Sequence, residues 1–198
     1  MLRGLMKRIP QSKEALLRQV REGENSAALD AIERLREKGH ITDGSLQEID
    51  LQQANLQQVK LAKAVLRGAN LREANLTGAY LGATYLEKAN LEQVILRSAN
   101  LCDVHLILAR LCGADLRDAH MAAANLQGAD LAGADLRQAN LWGANLRGAN
   151  LTGANLLGAN LDHTVLDDQT ILPDGTYWST GEDVRRFCDA DHPQAWMQ

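Results

Sequence analysis

The stretch from Asn125 to Ala134 reads Asn-Leu-Gln-Gly-Ala-Asp-Leu-Ala-Gly-Ala, and this five-residue phrase continues to Leu161. A period of five fits neither regular structure. On an α-helix, five residues at about 100° each turn the direction by roughly 500°, so the leucines would spiral around the helix. On a flat strand, an odd period would place alternate leucines on opposite faces. The chain must therefore turn at every repeat to keep its leucines on one axis.

The leucines mark an inward position that recurs from residue 51 to residue 166. Of these 24 positions, 23 are Leu and one is Met121, and two residues before them 18 of the 24 positions are Ala. The other three positions of each repeat vary among polar, charged and aromatic residues. This binary pattern predicts an all-β solenoid with one large and one small residue pointing inward in each repeat. The predicted structural core includes Leu51, Leu71, Leu91, Leu111, Leu131, Leu136 and Leu151.

Runs such as Ala-Asn-Leu-Arg-Gly at 144–148 resemble the pentapeptide-repeat family, whose repeat is written A(D/N)LXX. The resemblance covers about two thirds of the chain. It implies a right-handed quadrilateral β-helix in which four repeats make one coil. On that geometry the 24 repeats give about six coils, and a spacing of about 4.8 Å per coil makes a rod on the order of 30 Å long. Residues 177–178 and 191–193 are also similar to the tail of bacterial members.

The repeats divide the chain into a predicted N-terminal helical cap (1–45), the β-helix (46–171) and a short helical and loop cap (172–198). In the first part, apolar residues at helical spacing predict two short helices. We expect Asn25 or Ser26 to be the N-cap of the second helix, and Gly39 to be its C-cap. Two helices of this size cannot bury their apolar faces alone, so we expect them to cover the first coil.

The C-terminal cap is expected to begin where the repeats end. Ile171 is predicted to occupy the last inward leucine position, before a Pro-Asp-Gly turn. Residues 179–182 have the pattern of a capping box for a short helix that ends at about Phe187. Large aromatic residues in this part predict a hydrophobic lid on the last coil, formed by Trp178, Phe187 and Trp196.

The net charge of −4 divides into +2 for residues 1–45, −3 for 46–171 and −3 for 172–198. By itself this balance indicates neither nucleic-acid binding nor strong acidity. Three cysteines without close spacing predict no disulfide framework, which favours a reducing, cytoplasmic location. No apolar run approaches the roughly 18 residues of a membrane span.

Residues 1–10 interleave basic and apolar side chains but lack the apolar core of a secretory signal. A short basic amphipathic helix of this kind is able to touch a membrane surface. The alternatives are a frayed terminus and a segment docked on the cap. We do not expect membrane contact through these ten residues.

Residues half a coil apart point from opposite faces. This geometry keeps the candidate catalytic and metal-binding side chains apart. Cys102 and Cys112 stand in this relation, so they cannot meet the limit of about 7 Å for a disulfide or share a metal. His105 and His120 fall on neighbouring faces, and the Ser, His and Asp residues form no plausible triad. The glycines recur at turns, and the Asn and Asp before each leucine are predicted turn formers. We therefore predict no enzyme, no metal site and no cofactor.

Three arginines follow inward leucines at the spacing of one coil, and two aspartates precede leucines on the same face. One interpretation of this column is an exposed ion-pair ladder of little energetic consequence. The other is a contact for an anion or an acidic partner. The column consists of Arg97, Arg117 and Arg137, with Asp115 and Asp135 beside them.

Apolar residues interrupt the polar outer surface on the face that carries Leu66, Leu86 and Leu106. Ile107 and Leu108 are two consecutive outward aliphatic residues. Contiguous exposed apolar groups usually mark association sites, so we predict an interaction surface here; the alternatives are contact with a cap and an apolar residue without a role. The candidate surface comprises Val65, Tyr85, Ile107 and Leu108, with Trp142 on the adjacent face.

These features favour a binding role. Our first hypothesis is a rigid, non-enzymatic scaffold that presents an interaction surface to a protein partner, as a monomer or an end-to-end dimer. The family resemblance implies an alternative, because some members resemble duplex DNA and bind DNA gyrase or topoisomerase IV, inhibiting or protecting the enzyme. Such mimicry needs a strongly negative surface, whereas the repeats carry 13 acidic and 10 basic residues. We expect no direct binding to nucleic acid, and a membrane-surface adaptor would rest on residues 1–10 alone.

Overall fold

The computed structural model describes residues 12–192 and 195, so residues 1–10 and Trp196, which carried two predictions, lie outside the described part. Two α-helices come first, α1 at Lys13–Glu22 and α2 at Asn25–Glu37. A 3₁₀ helix at Val184–Phe187 follows the repeats. No helix in the described residues has the length and apolar content of a membrane span. Between α2 and the 3₁₀ helix the described chain pairs through isolated bridges, not through continuous strands.

Parallel bridges join residues twenty positions apart from residue 50 to residue 165. At each bridge the backbone pairs in both directions. For example, Leu51 N–H donates to the Asn70 carbonyl at 2.7 Å, and Asn70 N–H donates to the Ile49 carbonyl at 2.9 Å. Each coil is therefore hydrogen-bonded to the next, which satisfies the backbone groups of a chain that has no long strands. The molecule is a solenoid with four repeats in each coil.

Each repeat contains a tight turn whose third residue has a positive φ. In the first full repeat, Ala54 N–H donates to the Leu51 carbonyl at 3.1 Å, and Gln53 between them has a φ of 59°. All the turns from residue 48 to 163 share this positive φ, which is typical of type II turns; nine carry Gly there and 15 carry another residue. These turns explain how a period of five keeps every leucine on one axis.

In most repeats that have Asn or Asp before the inward residue, this side chain closes the following turn. Asn140 Oδ1, for example, accepts the Trp142 N–H at 3.1 Å. The same side chains also bond between coils, as where Asn70 Nδ2 donates to Asp50 Oδ1 at 2.9 Å. The prediction that these residues are turn formers is confirmed.

The inward residues form a continuous core along the rod. From Leu51 to Leu156 each Leu or Met at these positions is at most 2% exposed, and the alanines two residues earlier are at most 6% exposed. All seven leucines named from the sequence belong to this core. Each fully buried leucine contributes roughly 1.5–3 kcal/mol to the free energy of unfolding.

The register shifts by one residue after the last regular repeat. Asn150 forms its bridge with Ile171, although a spacing of twenty would pair it with Thr170. Thr170 and Leu172, which are 0% and 1% exposed, therefore occupy the two inward positions. The prediction that Ile171 takes the last inward position is wrong, because the turn at 167–169 holds one residue more than the other turns.

Asp167 compensates for the extra residue in this turn. In a regular turn Gly128 donates its N–H to the Arg147 carbonyl at 2.8 Å, whereas Gly148 donates to Asp167 Oδ1 at 2.8 Å. A side-chain oxygen thus replaces the carbonyl that the register shift displaces. Burial acts to raise the pKa of Asp167, but hydrogen bonds from Gly148 and the Thr170 hydroxyl outweigh this effect and lower the pKa.

Helix α2 ends at Glu37 with Lys38 as its C-cap, one residue before the predicted Gly39, which lies at the next position. Gly39 has a φ of 78° and donates its N–H to the Arg36 carbonyl at 2.9 Å. The next N–H, of His40, donates to the Leu35 carbonyl at 2.8 Å. Together these bonds form a Schellman motif, which satisfies carbonyls at the end of the helix.

The start of α2 differs from the prediction by one residue. Glu24 is the N-cap, without a side-chain capping bond, and Asn25 is the first helical residue. Asn25 Nδ2 donates instead to the carbonyls of Asn55 and Gln57, at 3.2 and 3.1 Å. The prediction of Asn25 or Ser26 as N-cap is therefore wrong, because the Asn25 amide binds the first coil. Apolar residues of both helices join the core of the repeats: Leu16, Val20, Ala28, Ala31, Ile32 and Leu35.

The C-terminal segment packs on the last coil. Ile171 forms an antiparallel bridge with Tyr177. Phe187 is 4% exposed and belongs to the same core as Leu172, with Trp178 packed partly buried against it. The predicted capping box at 179–182 is wrong, because the 3₁₀ helix begins after Asp183, whose side chain accepts the Arg185 N–H at 3.0 Å.

Candidate interaction surfaces

The bridges divide the outer surface into four faces, which we name by the first inward leucine of each. Face A starts at Leu51, face B at Leu56, face C at Leu61 and face D at Leu66. Outward side chains come from the residue before each inward position and from the two after it. Since residues twenty apart are bridged, each of these positions forms a column along the rod. Faces A and C lie on opposite sides, as do faces B and D.

The arginine column lies on face B and is closed by ion pairs. Arg97 donates to Asp115. Arg117 binds Asp115 through two hydrogen bonds of 2.9 Å and lies 3.5 Å from Asp135. Arg137 donates to both oxygens of Asp135, at 2.8 and 2.6 Å. Each carboxylate is therefore shared between arginines of successive coils, which favours the ion-pair-ladder interpretation.

The ladder leaves face B without net charge. Its arginines number three, and its aspartates are Asp115, Asp118 and Asp135. Hydrogen bonding from Arg137 lowers the pKa of Asp135 from its ordinary value of 3.8, and Asp135 in turn raises the pKa of Arg137. Arginines that are already paired on a neutral face offer little attraction for an anion.

Tyr85 belongs to a stack of side chains on face D. Its ring lies parallel to the His105 ring, with 4.7 Å between centroids and 10° between planes. The Arg67 guanidinium lies 4.8 Å from the Tyr85 centroid and also pairs with Glu87 at 3.2 Å. Tyr85 and the bridged Val65 are both half-buried. Much of the surface of these two predicted site residues is therefore buried by contacts within the rod.

Leu108 is the most exposed apolar residue of face D. It is 53% exposed, whereas Ile107 beside it is half-buried. Its φ of 56° lies in the left-handed region, which leucine rarely adopts. Its side chain leans along the rod over Gly128, where an added Cβ would lie 2.8 Å from Leu108 Cδ2. A small apolar ridge thus runs from Ile107 across the edge between faces D and A.

Trp142 lies on face C, where it is 49% exposed and packs edge-on against His163 at 5.4 Å between centroids. Tyr80, at 52% exposed, is a second aromatic residue of this face. The prediction omitted Tyr80 from the site residues, although an aromatic residue in a position that usually holds Asn or Asp was a usable signal. Two other exposed apolar residues were also missed, Leu157 and Tyr177.

The three cysteines are free thiols. Burial and a hydrogen bond to Asp130 raise the pKa of Cys112 to about 11, and burial followed by the charge of Asp189 raises that of Cys188. A thiol that stays protonated at neutral pH is a poor nucleophile and metal ligand. Among residues 12–192, no group of three or more His, Cys, Asp or Glu side chains is placed to hold a metal ion.

An open cleft of about 540 Å³ lies between the last coil and the 3₁₀ helix. Most of its charged groups are paired: Asp183 contacts Arg185 at 2.5 Å, and Glu182 contacts Arg186 at 2.7 Å. Hydrogen bonds from Arg185 hold the pKa of Asp183 well below its usual range. Sequence reasoning had no signal for this cleft, because its walls come from two segments that only folding brings together.

Comparison with known families agrees with this architecture. The model of pentapeptide repeats matches the chain in eight copies, at residues 49–84, 74–106, 100–138 and 129–168. These matches span more than half of the chain. No match was found among curated proteins.

Several solved structures are similar to this chain. HetL from Nostoc sp. strain PCC 7120, a pentapeptide repeat protein involved in heterocyst differentiation regulation, is 30% identical, over 75% of this chain and 98% of HetL, with a TM-score of 0.27. Rfr23 from the cyanobacterium Cyanothece 51142 is 36% identical, over 50% of this chain and 65% of Rfr23, with a TM-score of 0.28. QnrB1, a plasmid-mediated fluoroquinolone resistance protein, is 15% identical, over 62% of this chain and 84% of QnrB1, with a TM-score of 0.36.

The five-residue period, the bridges between residues twenty apart and the inward leucines and alanines all agree with the repeat match. Proteins with these repeats fold as right-handed quadrilateral β-helices, which accounts for the four faces. The chain belongs to the pentapeptide-repeat family.

Proposed function

We propose that this protein is a non-enzymatic scaffold whose β-helix presents an interaction surface to a protein partner, centred on Ile107 and Leu108. The observation that carries the proposal is Leu108. It is 53% exposed and has a φ of 56°, so it adopts a costly backbone conformation without gaining full burial. At nine equivalent turns the residue is Gly, which adopts this conformation without strain. A partner that covers Leu108 would recover the apolar burial that the isolated rod lacks.

The contrast between the inside and outside of the rod supports a scaffold. Inward positions hold Leu, Ala and a few similar residues, whereas outward positions range from ion pairs on face B to aromatic residues on face C. Such a rod keeps its shape while its outer residues change, so its recognition properties belong to individual side chains. The raised pKa values of Cys112 and Cys188 give no support to nucleophilic catalysis.

The test compares the full-length tagged protein with its Leu108→Gly variant in affinity purification from the source cells. Glycine suits the positive φ at this position, so the variant should fold at least as well as the parent while losing the exposed side chain. We expect it to lose a partner that the parent retains. The matched control is Ala123→Gly, which makes the same backbone change at a turn between faces C and D and should retain the partner. Equal recovery of every partner by the two variants would exclude Leu108 from the interface.

Gyrase or topoisomerase binding by DNA mimicry is less well supported. Counting outward residues, face A carries two basic and four acidic residues, faces B and D carry three of each, and face C carries two of each. Duplex DNA carries one negative charge per about 1.7 Å of its axis. No face of this rod approaches that density.

We also propose a cytoplasmic location. All three cysteines are unpaired, and two of them have pKa values raised by burial. Free thiols are common in reducing compartments and uncommon in oxidising ones. Fractionation of the source cells, followed by immunoblotting, tests this location; recovery from a compartment that forms disulfides would contradict it.

A further inference from the structure

Face C differs from the other faces in its small and uncharged centre. Its six rows are centred on the inward residues at 61, 81, 101, 121, 141 and 161. Across the middle four rows, Asp103 is the one residue with a formal charge. Half of the twelve outward residues there are small: Gly82, Ala83, Cys102, Ala122, Ala123 and Gly143. From this low surface project Tyr80 and Trp142, which are 52% and 49% exposed.

The charges of face C are divided between its two ends. Lys60 and Lys63 lie in the first row, whereas Asp162 lies in the last row. All three are exposed, and none forms an ion pair with the described residues. One end of the face is therefore positive and the other end is negative.

We propose that two copies of this chain associate side by side through face C, antiparallel, around a two-fold axis. This interface is distinct from the Ile107–Leu108 ridge and does not depend on the proposed function. The axis lies in the interface, perpendicular to the rods, between the rows of Leu101 and Met121. The first row of one copy then faces the last row of the other, so opposite charges meet. A parallel pairing would bring the lysines of both copies together and is disfavoured.

This symmetry also sets which positions face each other. Rotation about such an axis keeps the columns aligned, so the residue after each inward position faces the same column of the partner. Trp142 of one copy then lies opposite Gly82 of the other, a projecting aromatic residue against an open glycine. Asp162 lies opposite Ala62, between Lys60 and Lys63. The pairs at the two ends and the aromatic contacts occur twice in the dimer.

The size of the face limits the expected affinity. Six rows at about 4.8 Å give a length of about 29 Å. A face of that length buries an area at the low end for specific interfaces, about 1,200 Å² in total or less. The α-helices and the C-terminal segment join the core at the ends of the solenoid. The last row of face C borders the open cleft beside the 3₁₀ helix, and Asp162 in that row remains exposed. We therefore expect a reversible dimer in the micromolar range or weaker.

Gly82→Arg tests the central contact by sedimentation velocity. A Cβ at Gly82 would meet no atom closer than 3.6 Å, so the rod tolerates the change. The arginine side chain would fill the space that Trp142 of the other copy occupies in the proposed dimer. The matched control, Ala132→Arg, places the same side chain in the same column of face A. We expect the parent and the control to dimerise over about 1 to 500 µM, a range that brackets so small an interface, and Gly82→Arg to remain monomeric. Circular dichroism verifies that both variants are folded.

Charge reversal tests the orientation without relying on Gly82. The double change Lys60→Asp with Lys63→Asp should weaken dimerisation about tenfold or more, and so should Asp162→Lys alone, because each contact occurs twice. All three changes together should restore it. Recovery in the triple variant identifies the antiparallel register, since a parallel pairing would gain nothing.

Three results would overturn the proposal. The first is a parent protein that stays monomeric at every concentration. The second is a dimer that Gly82→Arg and Ala132→Arg affect equally, which would place the interface on another face or at an end. The third is a triple variant that remains as weak as the double variant. A bismaleimide crosslink adds an independent measurement, because Cys102 of face C should couple two copies and the Cys102→Ala variant should not be coupled.

Discussion

At the scale of single residues, the turns impose a backbone conformation that most side chains resist. Fifteen turns carry a non-glycine residue at a φ between 52° and 62°. Left-handed conformations cost roughly 1–2 kcal/mol for an ordinary L-residue. The coil tolerates this cost because the hydrogen bonds and inward leucines on either side determine the turn. Asn, Asp and Gly bear the conformation best, and Leu108 and Ala123 are among the residues without such an advantage.

Ala123→Gly should stabilise the protein by about 0.5–1 kcal/mol, because Ala123 has a φ of 56° that glycine adopts freely. The adjacent Ala122 lacks a positive φ and provides the control. Ala122→Gly should destabilise by about the same amount, since there glycine only adds entropy to the unfolded chain. Urea unfolding of the two variants measures the difference. Equal effects of both changes would contradict the strain assigned to this turn.

The face B ladder predicts a small loss of stability in acid. The pKa of Asp135 is lowered from 3.8 by its contacts with Arg137, so the stabilisation is fully present above that value and is lost as the pH falls through the folded pKa. Asp135→Asn should therefore lose less stability between about pH 6 and pH 2.5 than the parent, by less than about 1 kcal/mol for an exposed pair. Thermal melting across this range measures it. Gln138→Asn, on the same face but without a titratable group, should leave the pH dependence unchanged.

At the scale of elements, the structure repeats coil by coil, and each coil depends on its neighbours for hydrogen bonds and apolar contacts. Leu126 N–H donates to the Asn145 carbonyl of the next coil at 2.8 Å, and Asn145 N–H donates back to Ala124 at 2.9 Å. The leucines of adjacent coils share one core. A defect in one coil therefore removes both hydrogen-bond partners and apolar contacts from the next.

Leu136→Asp should unfold several coils together. Leu136 is 0% exposed, so the change removes a buried apolar side chain and places a carboxylate without a partner in the core. We expect a loss of at least about 4 kcal/mol, among the largest effects of a single substitution. Far-ultraviolet circular dichroism and thermal melting measure it. Ala132→Asp, at an outward position one repeat earlier, should change the melting temperature little.

The turn at 167–169 provides a test of register. Deleting Gln169 would return Thr170, Ile171 and Leu172 to a strict five-residue spacing, and the turn backbone would replace the Asp167 side chain as acceptor for Gly148. We expect this deletion to cost no more than about 1 kcal/mol, the range of tolerated surface changes. Deleting Gln127 instead would move the following repeats out of register and should prevent cooperative folding. Similar melting of the two deletion variants would contradict this account of the shift.

At the scale of the whole molecule, the sides of the rod are the surfaces that remain for recognition. Helix residues and the C-terminal segment share the core at the ends of the solenoid. The outward charges are nearly balanced on every face, so shape and individual apolar side chains have more influence on recognition than long-range electrostatics. Leu108 and Trp142 lie on different faces, so the proposed partner surface and the proposed dimer surface do not overlap.

This charge balance predicts no effect on DNA supercoiling. DNA gyrase assayed with the purified protein at micromolar concentration should show unchanged activity, because the rod lacks the charge density of duplex DNA. The assay should include a DNA-mimicking pentapeptide-repeat protein as a positive control. Clear inhibition, or protection from a fluoroquinolone, would contradict this prediction and favour the mimicry hypothesis.

The period of five was sufficient to predict the solenoid, because each repeat is a local unit in which an inward leucine and a tight turn recur. The outward residues were harder to interpret. Arg97, Arg117 and Arg137 were identified as a column, but whether they were free or paired depended on aspartates one coil away. Leu108 was predicted to point outward, yet its positive φ follows from the turn geometry and not from its own residue type. The register shift before Ile171 was not predictable, because it depends on the hydrogen bond that Asp167 accepts from Gly148 one coil away.

From the sequence alone the inward face of the repeats from Leu51 to Leu156 was predictable, because burying one leucine in each five residues allows no regular helix or strand. The four-sided coil came from the family resemblance. Which outward groups are paired within the rod and which remain exposed depends on how the coils stack. Stacking brings Tyr85 against His105 and closes the arginine ladder, while it leaves Trp142 and Leu108 in solvent. The physical reason is distance along the chain: inward positions depend on neighbours within five residues, whereas outward contacts depend on residues about twenty positions away.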